Sequence, residues 1–195
     1  MITSEEFFNQ DAISLAKDLI GKHITRTIDG HELTGKIVET EAYMGIDDRA
    51  SHTYRGKKTK RTEILYGEGG FAYVYTIYGI YQCLNIVANH ESIPQAVFIR
   101  ALEPIVGLEN MREYRKTEIS KIKNLTNGPS KLCQSLRIDK QLYGYDLKNG
   151  GELYISNSNE KISIASSPRI NIDYSGPDKS KPWRFFDPKS DFLSK

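Results

Sequence analysis

The segment Gly67-Glu68-Gly69-Gly70-Phe71-Ala72-Tyr73-Val74-Tyr75-Thr76-Ile77-Tyr78-Gly79 decides the fold. A glycine-rich turn opens it, an aromatic and β-branched run follows, and Tyr78-Gly79 breaks the run. Two more apolar segments, 83–88 and 95–101, come after the break. Aromatic and β-branched residues favour strands, and short glycine-containing gaps join neighbouring strands as hairpins. Upstream, Asp29-Gly30 is a two-residue hairpin signal whose second strand runs from His31 to about Tyr43. Downstream, strands are expected over 152–157, 161–166 and 169–174. Strand and helix do not alternate regularly, which argues for a mainly antiparallel sheet; the sheet is expected to be curved and partly open like a barrel.

Helices are few. Thr3 and Glu6 have capping-box spacing. Asp11 can cap a helix with Ala12, Leu15, Ala16, Leu19 and Ile20 on one face, stopped by Gly21. Pro104 can open a helix with Ile105, Leu108 and Met111 inward. Asn127-Gly128-Pro129 leads into a short helix through Leu132, Cys133 and Leu136. The expectation is one α+β domain over residues 1–195, with helices packed at one side of the sheet and a protruding β-hairpin. The polar tail beyond Asp187 is expected to fray.

At 195 residues, with 38% hydrophobic and 27% charged side chains, the chain has the composition of a globular domain. No apolar run approaches the length of a membrane span, and the N-terminus has no signal-peptide pattern, so a cytoplasmic location without a membrane partner is expected. Cys83 and Cys133 read as buried hydrophobes rather than a disulfide. The four histidines have no zinc-ligand spacing. Net charge is only +2, yet Arg55, Lys57, Lys58, Lys60 and Arg61 fall within seven residues that hold no acid. Such a cluster can neutralise phosphates, or it can be a solvated loop. A second basic stretch, 112–123, is diluted by Glu113 and Glu118 and reads as a solvated helix face.

In Gly35-Lys36-Ile37-Val38-Glu39-Thr40-Glu41-Ala42-Tyr43, strand alternation puts Ile37, Glu39, Glu41 and Tyr43 on one face. Two carboxylates beside an aromatic ring pack badly in a core but make a good pocket wall, since a carboxylate activates water and a ring stacks on a flat ligand. An exposed edge strand with solvated glutamates is the plainer alternative. Tyr73 and Tyr75 share a face of their strand, while Tyr78 breaks that parity beside Gly79. Arg100 lies in an apolar strand, where burial demands a partner such as Glu103.

Six motifs in order then resemble a known family: Val38-Glu39-Thr40-Glu41-Ala42-Tyr43, Ala50-Ser51-His52, Tyr73-Val74-Tyr75-Thr76-Ile77-Tyr78-Gly79, Cys83-Leu84-Asn85-Ile86, Ile99-Arg100-Ala101-Leu102-Glu103-Pro104, and Asn127-Gly128-Pro129-Ser130-Lys131-Leu132-Cys133. Over nearly the whole chain the sequence resembles the alkyladenine, or 3-methyladenine, DNA glycosylases shared by bacteria and animals. The resemblance implies excision of alkylated or deaminated purines from double-stranded DNA, by an enzyme that needs no metal or organic cofactor, performs no lyase step and works as a monomer. It implies that Glu41 is the general base and that Arg100 helps hold the water or the flipped nucleotide. Tyr43, Tyr75 and His52 would wall the base pocket, Asn85 would screen purines, and Tyr78 would fill the gap in the duplex. Arg55, Lys57, Lys58, Lys60 and Arg61 would meet the DNA backbone. Glu39 would be structural, paired with a basic side chain. Leu65-Tyr66 departs from the family's usual Met-Phe. Two other readings stay open: a DNA-damage-binding module without catalysis, and a sugar hydrolase that pairs carboxylates among Glu39, Glu41, Asp47 and Asp48.

Overall fold

The computed structural model describes residues 1–116 and 121–194. In chain order the described helices and strands are α1 (Glu5–Phe8), α2 (Ala12–Leu19), β1 (His23–Ile28), β2 (His31–Tyr43), β3 (Ala72–Ile77), β4 (Tyr81–Ala88), β5 (Gln95–Val106), α3 (Leu108–Arg115), α4 (Pro129–Ser135), β6 (Leu153–Ser156), β7 (Ala165–Ser167) and β8 (Arg184–Phe186). The class is α+β. The eight strands form one curled half-barrel sheet in the order β3-β4-β5-β2-β1-β6, with β8 joining β2 to β7. Every pairing is antiparallel.

Strand β2 is the spine. Its first half pairs with β1, its second half with β8, and its other edge with β5. Two register shifts interrupt the β2–β5 ladder. Ile37 faces Leu102 and Glu39 faces Ala101, which leaves Val38 without an opposite residue; Thr40 then faces Ile99, which leaves out Arg100. Such bulges re-aim side chains and sharpen strand bending. They also correct strict alternation, because Ile37 joins Ala42 in the main core instead of sharing the glutamate face.

Helix α2 forms because Asp11 accepts hydrogen bonds from the free amides of Ile13 (3.0 Å) and Ser14 (3.2 Å). It buries Ala12, Leu15, Ala16 and Leu19. Each buried leucine contributes about 2 kcal/mol of apolar transfer. Thr40 Oγ1 ties β2 to this helix through Ala16 O at 2.9 Å. For α1 the expected capping box is not formed: Ser4 is the N-cap, and its side chain makes no capping bond. Gly69 lies so close to α1 that a Cβ there would stand 2.4 Å from Phe8 O. A smaller cluster, Leu65, Tyr73, Val87 and Ala96, forms a second core.

Three expected elements differ. Pro104 does not open a helix: β5 continues to Val106, Ile105 is exposed, and α3 starts at Leu108. The register shift beside Gly35 and Pro104 explains this, since proline lacks the ladder donor and is tolerated at a bulge. Segment 169–174 is no strand; Asn171 has φ +58° and a 3₁₀ turn, Asp173–Ser180, begins there. Of 161–166, only Ala165 and Ser166 fall in β7. The tail beyond Asp187 does not fray. Asp187 N donates to Val38 O at 3.0 Å, and Ser194 is hydrogen-bonded inside the molecule. Within the second basic stretch, Glu118 lies outside the described residues.

Candidate active site

Glu39 and Glu41 are both 0% exposed, so the edge-strand alternative does not describe them. Their charges are held by specific partners. Glu41 Oε1 accepts from Ile170 N at 2.7 Å and faces Arg100 Nη1 at 3.3 Å; Oε2 accepts from Tyr43 Oη at 2.9 Å. Glu39 Oε1 accepts from Arg184 Nε (2.7 Å), Arg100 Nε (3.1 Å) and Ser194 Oγ (2.7 Å), and Oε2 accepts from Ser194 N (2.6 Å). One guanidinium therefore spans both carboxylates. Burial opposes the charge of Arg100, yet Glu41 and Glu39 together push its pKa up, which fixes it as a cation. Glu103, the partner considered for Arg100 from the sequence, instead pairs with Lys36 at 2.9 Å.

Beside this network lies a cavity whose wall includes Tyr43, His52, Tyr73, Tyr75, Asn85 and Tyr174. Its aromatic wall suits stacking on a flat heterocycle. Tyr43 and Tyr75 both line it, and among the described residues they make no ring contact with each other. His52 stands edge-on to Tyr75, with centroids 4.8 Å apart, and its Nδ1 is 2.9 Å from Tyr73 Oη. His52 keeps an exposed edge, yet partial loss of hydration, with Arg61 and Lys57 nearby, lowers its pKa to about 4 and favours the neutral imidazole. Burial raises the phenols of Tyr43 and Tyr75 well above their usual range, keeping both as hydroxyl groups. Asn85 is buried, and its Nδ2 is 3.4 Å from Tyr73 O.

A wider groove of about 510 Å³ shares Tyr43, His52 and Tyr75 with the cavity and extends to Tyr78, Arg100 and Ser194. Glu41 itself lines neither space; it is reached through its bonds to Tyr43 and Arg100. Tyr78 stands at the tip of the β3–β4 hairpin, 88% exposed. Tyr78 and Gly79 have φ of +49° and +74°, and Ile80 N donates to Ile77 O, the pattern of a type I′ hairpin turn. Arg55, Lys57, Lys58, Lys60 and Arg61 are all exposed on the loop that follows His52. Among the described residues none of the five is in a salt bridge. Arg61 reaches back over the Tyr75 ring at 4.7 Å, which ties the basic loop to the pocket wall.

Sequence reasoning missed Arg169, Ile170, Tyr174 and Ser194. Arg169 is buried, grips Asp48 at 2.6 and 2.8 Å, and lies 4.7 Å over the Tyr43 ring and 5.0 Å over Trp183. Asp48 is thereby a structural anion that also accepts from Met44 N and Ala50 N, which removes it from the sugar-hydrolase reading. Glu39 is likewise saturated, and Asp47 is exposed. An Arg-Ile pair far from β2 in sequence carries no periodicity, so a buried arginine needing an acid was the one available signal.

A family model described as methylpurine-DNA glycosylase matches residues 6–191. A protein of Natranaerobius thermophilus, provisionally named a 3-methyladenine DNA glycosylase, is 47% identical over 191 residues, covering 97% of this chain and 96% of its own. Proteins of the same provisional name from Clostridium acetobutylicum (48% identical; 93% of this chain, 91% of its own) and Clostridium botulinum (46% identical; all of both chains) are similar to the same extent. With a match across almost the whole length and an aromatic cavity set against buried glutamates, the chain belongs to the methylpurine-DNA glycosylase family.

Proposed function

We propose that the protein is a monofunctional base-excision repair glycosylase that hydrolyses the N-glycosidic bond of alkylated or deaminated purines in duplex DNA. The observation that carries this reading is the adjacency of an aromatic-walled cavity to the Glu41–Arg100 pair. A base inside a duplex is out of reach, so the target nucleotide rotates out at a cost of a few kcal/mol, least for bases that pair badly. The flipped base enters between Tyr43 and Tyr75. Alkylation leaves the purine cationic, and aromatic faces attract a cation. Asn85, at the buried end of the wall, offers an amide to the base edge and screens its exocyclic groups. Tyr78 fills the vacated step from the minor groove, and the five exposed cations meet phosphates.

In the chemical step the C1′–N bond breaks with its electron pair leaving on the base, and oxocarbenium-like charge develops on the sugar. Water adds to C1′, and Glu41 takes its proton. A base that entered as a cation leaves neutral; a neutral deaminated purine leaves as its anion and takes up a proton from solvent, matching the one Glu41 removes from the attacking water; the DNA is left with an abasic site. Tyr43 Oη and Ile170 N orient the Glu41 carboxylate, and Arg100 holds the water or nucleotide beside it. The test is incubation of the protein with duplexes carrying 3-methyladenine, 7-methylguanine, hypoxanthine, ethenoadenine or no lesion. Abasic sites without strand cleavage are expected on lesion duplexes only. DNA binding without base release would favour the non-catalytic module, and spontaneous strand cleavage by the enzyme would contradict the monofunctional assignment.

A further inference from the structure

We propose that Ser194 is a positioning residue for base excision: it closes the hydrogen-bonded ring that sets Arg100 between Glu39 and Glu41. The proposal rests on the glycosylase reading and adds a residue beyond the family match, which ends at residue 191. The chain is led to this point by specific contacts. Asp187 N bonds to the O of Val38, the unpaired bulge residue of β2, and Ser190 N turns back onto Asp187 O at 3.1 Å. Four residues later, Ser194 enters the groove wall beside Arg100.

Its hydroxyl uses its full hydrogen-bonding capacity there. It donates to Glu39 Oε1 at 2.7 Å and accepts from Arg100 Nε and Nη2 at 3.2 and 3.1 Å. The Ser194 amide holds the other oxygen of Glu39 at 2.6 Å. Glu39 lies wholly out of solvent and Arg100 nearly so, so no water readily replaces a lost partner. The remaining guanidinium nitrogen, Nη1, is the one that faces Glu41. Without the hydroxyl, Arg100 loses an acceptor on two of its nitrogens and Glu39 loses a donor. The guanidinium then settles closer to Glu39 and turns its Nη1 away from Glu41. Catalytic groups are sensitive to such shifts: a displacement of about 1 Å costs on the order of a hundredfold in rate.

The experiment measures three quantities on the unaltered protein, Ser194→Ala and Ser194→Thr: the single-turnover rate of hypoxanthine release from duplex DNA, the Kd for that duplex, and the melting temperature. Ser194→Ala is expected to lower the single-turnover rate roughly ten- to a hundredfold, with Kd near that of the unaltered protein and only a modest fall in melting temperature from the lost hydrogen bonds. Ser194→Thr, which keeps a hydroxyl on the same amide, is expected to restore most of the rate. An unchanged rate in Ser194→Ala, a joint fall of rate, affinity and melting temperature, or failure of the threonine to rescue would each overturn the proposal. Failure of the unaltered protein to release any base would overturn the glycosylase reading and this proposal with it, a pattern distinct from the other three.

Discussion

The second half of β2 and the tip of the β3–β4 hairpin differ in nearly every physical respect. On β2, Glu39 and Glu41 are 0% exposed and every carboxylate oxygen has a donor. At the hairpin tip, Tyr78 is 88% exposed beside exposed Ile80, and the nearby loop presents five cations that have no acidic partner among the described residues. The first region is a closed electrostatic circuit. The second is an open surface of exposed apolar and basic groups. The contrast suggests the division of labour in the proposed function: chemistry where charge is buried and fixed, and capture of DNA where cations are exposed without acidic partners among the described residues. Mutations should therefore sort cleanly by readout, with stability and rate lost on β2 and affinity or flipping lost at the tip.

The largest effect on stability is expected from Arg100→Leu. It strands two buried carboxylates, leaving Glu39 with Arg184 and Glu41 with neutral donors only. Removing one partner of a buried ion pair costs about 3–5 kcal/mol. Thermal or urea unfolding should show that loss, and a variant as stable as the parent would break the picture of a closed circuit. Tyr78→Ser should do the reverse. Emptying a buried aromatic site costs about 3–5 kcal/mol, but this side chain is in solvent, so melting should hold steady while lesion excision falls. A large drop in melting temperature with excision per folded molecule unchanged would make Tyr78 a packing residue. The smallest effect concerns salt. Neutralising Lys57, Lys58 and Lys60 should flatten the dependence of log affinity on log salt by roughly 0.9 for each phosphate that is no longer neutralised. An unchanged slope would return the loop to simple solvation.

The two regions were also unequally legible. The tip could be read locally: Tyr78-Gly79 after a strand is a hairpin turn, and a ring beside a positive-φ glycine is pushed outward. Helix α2 was equally local, since Asp11 and the apolar spacing sit within one short segment. The pair Glu39 and Glu41 could be flagged as chemically unusual, but the partners could not. Arg169, Ile170, Arg184 and Ser194 reach β2 from more than 125 residues away, and no periodic pattern links them to it. The bulges at Val38 and Arg100 were equally hidden, because a one-residue shift in register leaves composition unaltered. The polar composition of the tail suggested fraying for the same reason: Ser194 is ordered by two charged partners, not by apolar burial.

The most direct test of the division between a chemical circuit and a capturing surface is Glu41→Gln. Single-turnover excision and Kd are measured on the same lesion duplex, at enzyme concentrations that saturate it. Glutamine keeps the shape of the side chain and an oxygen for Ile170 N, but it cannot take a proton from water. Base release is expected to fall by at least roughly a hundred- to ten-thousandfold, the usual worth of a general base, while Kd for the damaged duplex stays near that of the unaltered protein. A near-normal single-turnover rate in Glu41→Gln would contradict the account and move the search for the base to Glu39.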